Sequence, residues 1–177
     1  VEPNERLAAM AAEHSSNARF VVAGAENTGL EDSEFDVSVF SLSLHHVVNM
    51  DAAIMEAARI TKSGGLVLVI EPVAPDPVFP VMQFIDDESA VYLKAQSSLQ
   101  SASKKGVLKP VGTLRFAEKY RIESPQAMVE DVASIDSGRI LEETDRSAFE
   151  QAFHAALQRD QNGSYIPYWC RADLFKC

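Results

Sequence analysis

The succession of apolar runs and turn signals along this 177-residue chain predicts an α/β protein built on a doubly wound, mostly parallel sheet. Three observations carry that expectation. RFVVA, FDVSVF and LVLVI are short runs rich in β-branched or aromatic residues, each bounded by turn formers or polar loops. An amphipathic stretch between the second and third has the length of a crossover helix. LVLVI is five consecutive apolar residues followed by an acid, as expected of a parallel strand covered on both faces.

Taken in order, Pro3 suits the first turn of a helix over residues 3–14, with Leu7, Met10 and Ala11 at helical spacing. ARFVVAG then reads as a buried strand ended by Gly24, and ENTGLEDSE as a loop. Phe35 to about Phe40 is a second buried strand, with HHVVNM in the loop beyond it. Asp51 is placed to cap a helix running through Lys62, with Ile54, Met55 and Ala58 on one face and Gly64-Gly65 as its stop.

Beyond the LVLVIEP strand the character changes. Val73 to Pro80 is a proline-rich connector, a helix begins near Asp87, and Ser124-Pro125 opens another to about Ile135. Residues 73–136 are therefore expected to be a mostly helical insertion within a single domain spanning 1–177. RILEET is an expected strand. Asp145 should cap a helix to about Arg159 that buries Phe149, Phe153 and Leu157. SYIPYWCRADLFK is the expected antiparallel closing strand, with Tyr168 and Trp169 packed in the core.

Composition narrows the classes. A hydrophobic fraction of 46% with 24% charged residues is that of a globular protein. The net charge of -10 argues against nucleic acid or membrane as partner. No apolar run approaches the roughly 20 residues of a membrane helix. Cys170 and Cys177 suit neither a disulfide framework nor a zinc site, and a reducing, cytoplasmic setting is expected.

In open α/β sheets ligands bind outside the carboxyl ends of the strands. Four places meet that condition: Glu2, the Gly24-Ala25-Glu26 turn, the Ser41 to His46 loop, and Glu71-Pro72. A carboxylate just before a helix can accept both hydrogens of a vicinal diol, or can simply be a solvated acid favoured by the helix dipole. His45 and His46 each admit a general-base role or plain packing, His46 being the better candidate for chemistry. No Cys or carboxylate accompanies them at metal-ligand spacing in the sequence.

The combination VEPNERLAAM, RFVVAGAENTGLEDSEFDVSVFSLSLHHV and IMEAARITKSGGLVLVIEP resembles the class I S-adenosylmethionine-dependent methyltransferases, in particular the small-molecule, type 11-like group. The family pattern is an acidic strand end, a Gly-Asp-Ala-Glu turn, Phe-Asp opening the fourth strand, a His-containing loop, and R-x-x-K-x-G-G leading into the fifth strand. Here these are Glu2, Ala23 through Glu26, Phe35-Asp36, His45-His46 and Arg59 through Gly65, covering about residues 1–72.

The resemblance implies a Rossmann-like methyltransferase fold and S-adenosylmethionine as cofactor. It implies that Glu2 holds the ribose hydroxyls, Pro3 lies against the adenine, Ala25 offers backbone contact to its edge, and Ser41 lines the methionine end. Gly24 stands where the family has an Asp that meets the exocyclic amine, with Glu26 a nearby substitute. Tyr92, Phe116 and Tyr120 would cover the substrate.

The Gly-rich turn after the family's first strand has no counterpart in the sequence, so a first strand, its helix and most of a second are expected upstream of Val1. The isolated chain is then expected to bind the cofactor weakly or to need a partner chain. The implied function is methyl transfer to an O, N or C nucleophile of a small molecule. The alternatives are a non-catalytic methyltransferase-like interaction protein, including a homo-oligomer, a truncated fragment without cofactor binding, and, last, a nicotinamide-dependent oxidoreductase.

Overall fold

The structure, a computed structural model, describes residues 1–15, 17–73, 77–135 and 138–177. The chain divides into two compact units, one formed by Val1–Glu71, Lys94–Leu114 and Ala172–Cys177, the other by Pro72–Leu93 and Arg115–Arg171.

The first unit opens with helix α1 (Glu5–Glu13). Asn4, rather than a proline at the first helical position, starts it: its side-chain oxygen accepts from the amides of Arg6 (3.0 Å) and Leu7 (3.2 Å). Ala8 is the buried residue, whereas Leu7 and Met10, two of the residues at helical spacing, are exposed. The ARFVVAG strand does not form. Val22 makes a single parallel bridge with Glu2, and it is 50% exposed.

Strand β1 (Phe35–Ser41) pairs in parallel with β2 (Thr61–Pro72). Expected to be buried, β1 is so only at Phe40, with Val37 and Val39 47% and 54% exposed. Among the described residues β2 is its one ladder partner, so its other edge and neighbouring side chains stay open.

A one-turn 3-10 helix (Leu44–His46) and helix α2 (Met50–Ile60) connect the two strands. Asn49, not Asp51, caps α2, accepting from the Ala52 amide at 3.1 Å, and the helix ends two residues before Lys62. Ile54 is buried but Met55 is exposed.

Gly64 and Gly65 do not stop the helix; they lie inside β2. Register jumps from Phe35↔Thr61 to Val37↔Leu66, so residues 62–65 form a wide irregularity opposite Asp36. Lys62 Nζ donates to the Asp36 carboxylate at 2.8 Å across it. A Cβ on Gly65 would lie 2.8 Å from the Asp36 carbonyl oxygen, a distance only glycine tolerates. Beyond the irregularity Val67, Val69 and Glu71 alternate inward.

Helix α4 (Ser89–Lys104) contributes its Lys94–Lys104 part to the first unit, burying Ala95, Leu99 and Ala102. Strand β3 (Lys109–Arg121) and the closing strand β5 (Gly163–Lys176) reach this unit with their Lys109–Leu114 and Ala172–Lys176 parts, completing the order β1-β2-β5-β3. Gly64 and Gly65 exchange backbone hydrogen bonds with Cys177, and Thr113 donates to the buried Asp173 at 2.6 Å.

In the second unit a core of Val81, Ile85, Met128, Val132, Leu141, Phe149, Phe153 and Ile166 joins helices α3 (Phe79–Met82), α5 (Pro125–Ile135) and α6 (Arg146–Ala156) to β5. Ser124 caps α5 as expected. Strand β4 (Gln158–Asp160) pairs antiparallel with β5, so α6 ends at Ala156 rather than near Arg159.

Several expectations are revised here. Residues 73–136 include the 13-residue strand β3. RILEET is irregular: among the described residues it joins no ladder, and its buried Leu141 belongs to the core. Trp169 is exposed rather than packed in the core. The connector's residues 74–76 and the insertion boundary at 136 lie outside the described residues.

Candidate functional site

Four segments of the first unit line one cleft of about 870 Å³: residues 1–3, the 19–30 stretch, strand β1, and the loop and helix that follow it. Each is placed by local hydrogen bonding. The Glu2 amide donates to the Val21 carbonyl at 3.0 Å, which fixes Glu2 beside the Val21–Ala23 backbone. One Glu2 oxygen accepts from the Asn4 amide at 2.9 Å, holding the carboxylate at the start of α1.

The Gly24–Glu26 turn is tied to the N-terminus of α2, where Glu26 Oε1 accepts from the Asn49 amide at 3.2 Å. A Cβ on Gly24 would lie 3.0 Å from Glu26 Oε2. The acid at 26 therefore reaches into the space beside position 24.

The wall at Thr28–Leu30 is braced from below by α2. Buried Glu56 accepts from the Thr28 amide (2.8 Å) and hydroxyl (2.6 Å), and from Arg59 through Nε (2.7 Å) and Nη2 (2.8 Å). Arg59 also donates to the Leu30 carbonyl at 2.7 Å and pairs with Asp32. The Arg59 guanidinium, helped by the Thr28 donors, pulls the Glu56 carboxyl down from its ordinary 4.5 to about 2 against the opposing effect of burial.

On the opposite side the 3-10 turn presents His46 to the cleft, while His45 is turned inward, 6% exposed, onto the Glu71 carboxylate.

The cleft thus gathers Glu2, Pro3, Ala25, Glu26 and His46, together with Gly24. Ser41 is exposed and is not part of the lining. The chain turns at Leu42, whose φ of 51° is left-handed, and Ser43 faces the cleft instead. Tyr92, Phe116 and Tyr120 all belong to the second unit. There Tyr92 donates to Glu88, and Tyr120 donates to Asp131 with its phenol held well above the usual range by burial and then by that acid.

Sequence reasoning passed over Arg19, Glu34, Glu56 and the bracing role of Arg59. The acid closing LVLVIEP was visible, but its partners were not. The charged lining, Glu2, Glu26 and Glu34 against Arg19, is net negative, and Val21, Ala23, Val37, Val39 and Phe40 supply apolar wall. A net-negative lining beside apolar wall suits a ligand that carries positive charge and apolar surface.

Residues 1–69 match the methyltransferase domain family. Over 71 residues the chain is 32% identical to the ubiquinone/menaquinone biosynthesis C-methyltransferase UbiE of Campylobacter jejuni subsp. jejuni serotype O:6, covering 40% of this chain and 30% of that protein. The match therefore spans less than a third of the length of that curated relative.

Among solved structures, one from Bacillus halodurans C-125, described as a candidate methyltransferase, superposes with a TM-score of 0.64 at 15% identity. It covers 98% of this chain and 79% of the other. An S-adenosylmethionine-dependent methyltransferase from Thermotoga maritima gives 0.56 at 16% identity, covering 99% and 72%. These likenesses show the fold, and the match to the methyltransferase domain family covers residues 1–69, the part of the chain that holds the cleft.

Proposed function

We propose that this chain binds S-adenosylmethionine in the cleft of its first unit and serves methyl transfer to an O, N or C nucleophile of a small molecule, carbon being the chemistry named for the curated relative. The observation that carries the reading is the convergence of Glu2, Pro3, Ala25, Glu26 and His46, up to 44 positions apart in sequence, on one cleft.

The residues present fit the cofactor. At about 870 Å³ the cleft lies in the roughly 300–1,000 Å³ range of small-molecule sites. Glu2 keeps one oxygen on the Asn4 amide and has remaining acceptor capacity for a ribose diol. Pro3 and Ala25 offer apolar and backbone contact to adenine. Glu26, whose carboxylate lies beside position 24, stands in for the acid that Gly24 lacks. When bound, the cofactor supplies a methyl group on a positively charged sulfur, and the carboxylate-rich lining favours that charge. His46 is the group able to take a proton from an acceptor at the cleft.

Calorimetric titration with S-adenosylhomocysteine tests the reading. Saturable binding that weakens in Glu2→Gln supports it, and no binding at millimolar ligand sinks it.

A second reading, a methyltransferase-like module that binds a partner or a second copy, draws on the exposed Leu7 and Met10 of α1 and Val22. Light scattering showing a stable oligomer together with a silent titration would favour it.

A further inference from the structure

Glu71 ends the apolar run of β2 with a carboxylate only 4% exposed. A buried carboxylate is costly unless its oxygens are occupied, and here three donors converge on it. Oε1 accepts from the backbone amides of Ser43 (3.2 Å) and Leu44 (2.8 Å), and Oε2 meets Nδ1 of buried His45.

Ser43, at the cap position of the Leu44–His46 turn, makes no side-chain capping bond of its own, so the acid from the neighbouring strand does the capping. A carboxylate only accepts hydrogen bonds, and Oε1 already accepts from two amides; with Oε2 in the same role, Nδ1 of His45 is the donor and Glu71 selects the ring's tautomer. The His45 and His46 rings then lie with centroids 3.9 Å apart, tilted by 51°. His46 is the member of the pair that lines the cleft.

We propose that Glu71 is a positioning residue for the cleft: acting through the loop amides and the His45 ring, it fixes where the His46 imidazole stands. The value of that placement for methyl transfer rests on the function proposed above; the Glu71–His45–His46 arrangement is tested separately from it.

The variant Glu71→Gln separates capping from histidine control. Its amide oxygen still accepts from Ser43 and Leu44, while its NH₂ faces His45 and demands an acceptor there. Imidazole ¹⁵N NMR, with His45 and His46 assigned through His45→Gln and His46→Gln, reads the outcome.

The wild-type chain is expected to show His45 protonated at Nδ1. Glu71→Gln is expected to lose that Nδ1–H signal and to shift the His46 resonances, with the fold retained by circular dichroism. A wild-type His45 unprotonated at Nδ1, or His46 resonances identical in wild type and Glu71→Gln, overturns the proposal. Should Glu71→Gln fail to fold, the wild-type tautomer and the shift of His46 in His45→Gln decide it by the same criteria.

Adding S-adenosylhomocysteine to the wild type then tests the function alone. His46 resonances that do not respond count against the cleft as cofactor site and leave the positioning result standing.

Discussion

Glu56 shows how one side chain ties the stability of the site to pH. Its carboxyl is held at about 2 in the fold against an ordinary 4.5, so between those values the unfolded chain binds more protons than the folded one. The contribution is complete above the ordinary value and is lost as pH falls from about 4.5 towards 2. Glu56→Gln should remove that part of the acid limb in pH-dependent thermal melts. Losing charged hydrogen bonds to Arg59 should also cost about 1–3 kcal/mol at neutral pH.

Glu2 makes a different kind of prediction. Glu2→Gln keeps an acceptor for the Asn4 amide but forfeits the charge on the diol. Calorimetry should show S-adenosylhomocysteine binding weakened by about tenfold or more, as expected for a charged hydrogen-bond acceptor. A loss below twofold would remove Glu2 from the site.

Among the elements, the start of β2 explains two pieces of the motif pattern at once. Phe35-Asp36 and the Lys62 to Gly65 stretch meet across the irregular register: Lys62 pairs with Asp36, and Gly65 lies against the Asp36 carbonyl. Gly65→Ala should therefore destabilise the chain by about 1–3 kcal/mol through overpacking against backbone that cannot yield. Such a cost lowers Tm by roughly 3–10 °C in a protein of this length. A melt unchanged within error would mean that the strand start re-forms around the methyl group.

The same element shows where local pattern misleads. A double glycine after an amphipathic helix looks like a helix stop, but α2 ends at Ile60 and passes directly into extended backbone at Thr61, and the glycines serve the strand contact. RILEET has strand composition but joins no strand ladder among the described residues, and strand formation depends on pairing more than on propensity.

For the molecule as a whole, net charge and cleft charge have the same sign. The chain carries -10, and the cleft lining adds three carboxylates against one guanidinium. S-adenosylmethionine has one more positive charge than S-adenosylhomocysteine, so its binding should be the more salt-sensitive of the two. Raising salt from about 0.01 M to 1 M shortens the screening length from about 30 to 3 Å. The ratio of the two affinities should fall across that range in parallel titrations. A salt-independent ratio would show that the field of the acidic surface does not reach the site.

The succession of apolar runs was enough to specify an α/β chain and to locate α2, α5, α6 and the strands around Phe35–Phe40, LVLVI and the closing run, because burial periodicity is written locally; the strand β3 and the irregular RILEET segment were not legible, because strands depend on pairing. The methyltransferase pattern also lies in contiguous pieces, so Glu2, Pro3, Ala25, Glu26 and His46 could be singled out one by one. Their convergence on one cleft could not, nor could the place of Ser43 in its lining, next to the left-handed residue Leu42. The partners of Glu56 and Glu71 were likewise hidden: Thr28 is 28 residues from Glu56, and His45 is 26 from Glu71. A buried carboxylate is stabilised by whichever donors the fold brings within about 3 Å, and that proximity exists only once the strands and helix are packed.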